Sequence, residues 1–185
     1  QVGGESGNND LFTLIDPKIE KKLKYMMKKI HEIFTKGNLD YWIEGGTLLG
    51  AVRHHDIIPW DDDLDLQIKE TDLQKLLNLK PEFEKIGFEI VSWWGGYKIF
   101  PADGQQAGDN GQYDWKYPFC DIFLVKYFPE SNMYRYHTAD ARKKLGDTGF
   151  FASELFPLKN YKFGNLTVKG PNKYRDYLNR VYKED

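Results

Sequence analysis

The residues best placed to do chemistry in this 185-residue chain lie in Trp60-Asp61-Asp62-Asp63-Leu64-Asp65-Leu66. Four carboxylates so close together repel one another and cost stability unless a cation sits among them. Along an extended strand, side chains two apart share a face. Asp61, Asp63 and Asp65 then point one way and Asp62 the other. The run lies between Ile57-Ile58 and the strand-like Leu64 and Leu66, so it does not read as a solvated acidic tail. Carboxylates paired on one face make a hard-oxygen site for Mg²⁺ or Mn²⁺. An EF-hand calcium loop fits poorly: Asp61, Asp63, Asp65 and Asp72 have the spacing, but Leu66 takes the place of the required glycine and Asp72 that of a bidentate Glu. A further carboxylate, Asp121, is set in the apolar run Phe119-Cys120-Asp121-Ile122-Phe123-Leu124-Val125. A charge there needs a basic partner or a metal. The metal reading makes Asp63, Asp65 and Asp121 the ligands. Asp61 is within reach of the same cation if the chain bends at Pro59-Trp60, and Asp121 is alternatively the base for an incoming hydroxyl.

Upstream, Glu44-Gly45-Gly46-Thr47 places two glycines between a strand and a helix. Such a turn lets backbone approach a ligand closely, and the helix start offers N–H groups to a phosphate. No Gly-Lys-Ser/Thr follows, so this is not a P-loop. Gly45, Gly46 and Thr47 are candidate phosphate binders. Arg53 and Lys98 are candidate cations for a diphosphate, although a surface ion pair suits Arg53 and an exposed strand position suits Lys98 equally well. Adjacent His54 and His55 point apart, one exposed and one structural. Trp93, Trp94, Tyr97 and Trp115 are core residues or stacking platforms for a base, a sugar or a cation. Glu154 suits acceptor binding or a helix cap.

Elements must hold these groups. Residues 1–15 read as a flexible leader and 16–185 as one domain. Asp16-Pro17 is a helix start, and Ile19, Leu23, Met26, Ile30 and Phe34 form one apolar stripe ending at Gly37. Strands are expected at 41–43, 64–66, 88–93, 97–100, 119–125 and 161–168, with a hairpin turn at Gly95-Gly96. Helices are expected at 47–53, 72–86 (capped by Thr71), 138–146 and 172–182. Residues 102–116 read as a long mobile loop. The mixture predicts an α+β domain with a small mixed sheet flanked by helices. With 26 Lys and Arg against 28 Asp and Glu, the net charge of −2 excludes the basic footprint of a general nucleic-acid binder. Lone Cys120 excludes a disulfide framework, and no apolar run is long enough for a membrane helix.

Taken together, the glycine turn, the bounded Asp-x-Asp and the later Asp resemble the nucleotidyltransferase superfamily, with its polymerase β-like fold. More closely, residues 44–54 followed by 56–65 resemble the LicD family, which includes bacterial phosphocholine transferases, fukutin and fukutin-related protein. The similarity continues at Lys116-Tyr117-Pro118-Phe119-Cys120-Asp121-Ile122-Phe123, at Glu154-Leu155-Phe156-Pro157-Leu158, at Tyr161-Lys162-Phe163-Gly164 and at Gly170-Pro171. The resemblance implies a Mg²⁺- or Mn²⁺-dependent transfer of a phosphorylated alcohol from a CDP-linked donor to a glycan hydroxyl. A nucleotidyltransferase or sugar-phosphate transferase with another nucleotide donor, or a non-catalytic domain, are the alternatives. A secretory-pathway (Golgi) lumen is expected for a eukaryotic source and the cytoplasm for a bacterial one.

Overall fold

A computed structural model describes residues 13–182 of the chain. Most of the expected leader therefore lies outside the described residues. Its described end is tied down, with Ile15 N–H donating to the Pro59 carbonyl at 2.9 Å.

Helix α1 (Pro17–Lys36) begins as expected. The Asp16 carboxylate accepts from Lys18 N–H, and Leu23, Met26, Met27, Ile30 and Phe34 are buried. Gly37 closes the helix without a left-handed turn, at φ −80°. A Cβ there would run into the Leu79 side chain at 2.6 Å, so the glycine serves close packing.

The main sheet takes the order β1 (Trp42–Ile43), β2 (Leu64–Lys69), β7 (Cys120–Phe128), β4 (Gly96–Pro101), β3 (Phe88–Trp93). Strands β2 and β7 are parallel; the other neighbours are antiparallel. Beyond Leu124, β7 pairs instead with β8 (Met133–Tyr136), which pairs with β9 (Gly149–Phe151). The sheet is thus mixed, as expected. Helix α2 (Gly45–His54) leads from β1 to the turn before β2. The core is continuous across α1, the sheet and α2, with Trp42, Leu48, Leu64, Leu66, Cys120 and Ile122 all fully buried.

Several expectations need correction. The single helix over 72–86 is a 3₁₀ turn (Glu70–Asp72), α3 (Leu73–Asn78) and α4 (Lys80–Glu84). Pro81, at the second position of α4, lacks the N–H that a continuous helix would need. Thr71 lies inside the 3₁₀ turn and does not cap a helix. The β3–β4 turn is Trp94-Gly95, because Gly96 already pairs with Trp93. The expected loop 102–116 contains a two-stranded ribbon, β5 (Gln105–Gln106) with β6 (Lys116–Tyr117). The strand expected at 161–168 is a hairpin, β10 (Lys159–Phe163) and β11 (Leu166–Gly170), turning at Gly164-Asn165. Helix α5 (Ala139–Leu145) has Thr138 as its cap, and α6 (Ala152–Leu155) is a single turn. Helix α7 (Arg175–Val181) starts three residues later than expected.

Candidate active site

The parallel β2–β7 register pairs Leu64 with Cys120, Asp65 with Asp121 and Leu66 with Ile122. Alternation therefore drives Leu64, Leu66, Cys120 and Ile122 into the core and leaves Asp65 and Asp121 side by side on the other face. Asp63 joins them: one carboxylate oxygen from each of Asp63, Asp65 and Asp121 lies within 4.8 Å of the others. Asp61, Asp62 and Asp63 form a second group of the same tightness. Asp62 was expected on the opposite face, but the strand begins only at Leu64. Asp61 N–H bonds to the Ile58 carbonyl at 2.9 Å, in a turn through Pro59-Trp60. Strict alternation does not operate before Leu64, so Asp62 falls in with its neighbours. Because 64–69 is a strand, the EF-hand spacing carries no loop.

Crowding shows in the acidities. Burial, then the charges of Asp61 and Asp121, push the Asp63 carboxyl up to about 8. Burial and the charges of Asp63, Glu44 and Asp121 push Asp65 well up. Burial also raises Asp61 and Asp121, the latter against the opposing pull of Lys98. Carboxylates held this way ionise together only when positive charge joins them. The donor set is entirely hard oxygen and suits Mg²⁺ or Mn²⁺.

The first turn of α2 lies against this cluster. Gly45 takes φ +52°, and a Cβ on it would sit 3.5 Å from Asp65 Oδ2. A Cβ on Gly46 would come within 2.8 Å of Asp61 Oδ2. Thr47 is 1% exposed, and its hydroxyl accepts from Asp65 N–H at 2.8 Å, which fixes β2 to α2. Leu48 N–H makes the helix's first ladder bond, to the Glu44 carbonyl, so Gly46 and Thr47 N–H precede the ladder.

Three contributors escaped the sequence reading. Buried Glu44 is raised to about 7, by burial first, with the Asp121 charge adding to it and a Tyr177 hydrogen bond opposing it. Tyr177 O–H donates to Glu44 Oε2 at 3.0 Å, and its oxygen accepts from Gly45 N–H at 3.3 Å. Tyr182 brings its phenol oxygen to 3.8 Å from where a Gly45 Cβ would be. Both tyrosines come from the C-terminal end, over 130 residues from the turn they meet, and no local pattern announces such a contact.

Lys98 is buried, not exposed. It is 5% exposed, and its Nζ donates to Asp121 Oδ1 at 2.6 Å. The rings of Phe119, Trp93 and Trp115 surround the ammonium at 4.0, 4.3 and 4.8 Å. Arg53 is exposed in the last turn of α2, about 12 Å along the axis from Gly45 at ~1.5 Å per residue. His54 and His55 are both exposed, and His55 closes α2 at φ +53°. Trp94 is exposed beneath Lys144, whose Nζ is 4.6 Å from its ring centre, and Tyr97 packs on the core. Glu154 accepts from Phe151 N–H at 2.9 Å and pairs with Arg180, so the cap reading describes it. Among the described residues no helix is long and apolar enough to cross a membrane.

An uncharacterized protein of Rickettsia prowazekii (strain Madrid E) is 40% identical over 181 residues, covering 93% of this chain and 61% of its own length. The chain thus spans less than two thirds of that relative. Ribitol 5-phosphate transferase FKRP of Mus musculus is 28% identical over 85% of this chain and 30% of its own length. Lipopolysaccharide cholinephosphotransferase LicD of Haemophilus influenzae is 37% identical over 54% of this chain and 40% of its own. The solution structure of the antibiotic-resistance factor ANT(2'')-Ia superposes with a TM-score of 0.52 at 16% identity, covering 89% of this chain and 76% of the other, a likeness of fold. The family model described as LicD/FKTN/FKRP, nucleotidyltransferase domain, matches residues 38–173. That stretch holds the glycine turn and all the clustered aspartates, and the chain belongs to this LicD family.

Proposed function

We propose that the chain is a divalent-metal-dependent phosphotransferase domain with a polymerase β-like catalytic core. It would move a phosphorylated alcohol from a nucleotide-diphosphate donor, CDP-linked by preference, to a glycan hydroxyl. One observation carries the reading: three carboxylates from β2, its approach and β7 converge within 4.8 Å beside a glycine turn at a helix start. FKRP and LicD, named as ribitol 5-phosphate and choline phosphate transferases, support the alcohol-phosphate class.

Asp63, Asp65 and Asp121 would hold the Mg²⁺ or Mn²⁺, with Asp61 at its edge. Bound there, the cation would neutralise the donor diphosphate and the charge that develops on the leaving phosphate. The chain's own groups do the rest. Gly46 and Thr47 N–H receive phosphate oxygens, and the bare α-carbons of Gly45 and Gly46 admit them closely. The acceptor oxygen forms a bond to the phosphorus that carries the alcohol. The bridging P–O bond breaks, and the nucleoside monophosphate leaves with that electron pair. The hydroxyl proton passes to a carboxylate of the cluster, either Asp61 at the rim or the Asp121 oxygen not held by Lys98. Thr47 acts through Asp65, and Lys98 through Asp121.

Incubation with CDP-choline, CDP-ribitol, CDP-glycerol or GDP-mannose, each with Mn²⁺ or Mg²⁺, tests the reading. A raised melting temperature with the CDP-linked donors is expected. With a glycan acceptor, the product gains the mass of the alcohol phosphate. A gain of nucleoside monophosphate or of a sugar would overturn the reading in favour of another donor class. No thermal response to any donor would favour a non-catalytic domain.

A further inference from the structure

We propose that Tyr182 is a donor-binding residue: its phenol O–H, held above the Gly45–Gly46 turn, hydrogen-bonds a phosphate oxygen of the bound nucleotide diphosphate. The inference rests on the donor reading above and adds a residue outside the stretch 38–173 that the family model matches.

Helix α7 is registered on the turn by its other tyrosine. The Tyr177 ring stacks on Phe150 at 3.8 Å and 15°, and its hydroxyl joins Glu44 Oε2 to Gly45 N–H. Five residues on, Tyr182 N–H donates to the Leu178 carbonyl at 2.8 Å, which keeps Tyr182 on the helix end. Its phenol oxygen is then 3.8 Å from the Gly45 β position and 3.9 Å from that of Gly46. The carboxylates of Asp65 and Asp61 face the same two positions. The space over the glycine pair is therefore bounded by two acceptor-only groups and one phenol.

That phenol is half-buried, and among the described residues no hydrogen bond is made by its oxygen. Tyr177 shows the contrast: a phenol needed for the fold is bonded at both ends. A phenol O–H is a hydrogen-bond donor, which the neighbouring carboxylates are not once ionised. Backbone N–H groups and this O–H can receive an anion that the carboxylates alone would repel.

Tyr182→Phe removes only the O–H. Calorimetric titration with CDP and with inorganic pyrophosphate, both with Mn²⁺ present, reads its effect. A loss of about tenfold to a hundredfold in affinity for both probes is expected, the range for a hydrogen bond to a charged group. Mn²⁺ affinity without nucleotide and the melting temperature stay at wild-type values. Equal CDP affinity in both proteins would overturn the proposal and leave the donor reading intact. A loss for CDP with none for pyrophosphate would move the contact to the nucleoside and overturn it too. A wild-type chain that binds neither probe would overturn the donor reading itself, and this proposal with it.

Discussion

Lys98 Nζ lies 2.6 Å from Asp121 Oδ1, and the two residues are directly opposite each other on antiparallel β4 and β7. The pair is 5% and 6% exposed, so neither charge has water to replace its partner. Its place beside Asp63 and Asp65 makes Lys98 a permanent counter-cation for the cluster.

Removing that cation leaves Asp121 buried among like charges. Lys98→Met is expected to cost about 3–5 kcal/mol of stability without metal, the usual penalty for orphaning one partner of a buried pair. Saturating Mn²⁺ should recover part of it, because the metal supplies charge to the same carboxylates. Denaturant unfolding with and without Mn²⁺ measures both. An equal loss under the two conditions would separate Lys98 from the metal site.

Stability should depend on pH in a definite sense. The Asp63 carboxyl rises from an ordinary 3.8 to about 8 in the folded chain. Between these values the folded state keeps a proton that the unfolded chain has released, so raising the pH weakens folding. Metal-free protein should lose stability from about pH 4 to pH 8, and the gain from Mn²⁺ should grow over that range as binding displaces protons. Melting curves at pH 5.5 and 8 check this. A metal-induced gain that shrinks with pH would contradict it.

Gly46→Ala tests whether the second glycine serves the fold or the site. Gly46 is already helical, and the atom a Cβ would meet ends the Asp61 side chain, which can turn aside, so the melting temperature should hold. The new Cβ would meet Asp61 Oδ2 at 2.8 Å and occupy the approach to the turn. Nucleotide binding with Mn²⁺ should fall at least tenfold. Unchanged CDP affinity would remove the turn from the donor site.

How much of this was legible follows from the range of each signal. The pairing of Asp63 and Asp65 with Asp121 could be read because acids in apolar strands break a local pattern, and the parallel register then placed them together. The start of α1 at Asp16-Pro17 is equally local. Lys98 reads equally as a diphosphate ligand or an exposed strand lysine, because its three rings and its carboxylate come from Trp93, Trp115, Phe119 and Asp121, residues brought together only by the fold. Strand β8 pairs with the far end of β7 and β9 with β8, and at four and three residues neither is long enough for a sequence period to reveal it. Pro81 is a local signal too: it marks the break between α3 and α4 inside the helix expected over 72–86.

Mn²⁺ titration of Asp63→Asn beside wild type tests whether Asp63, Asp65 and Asp121 hold a metal. Losing one of several repelling charges should leave the metal-free melting temperature equal or higher at pH 8. The variant should keep its fold while Mn²⁺ affinity falls at least tenfold. Wild-type Mn²⁺ affinity in a folded Asp63→Asn protein would contradict it.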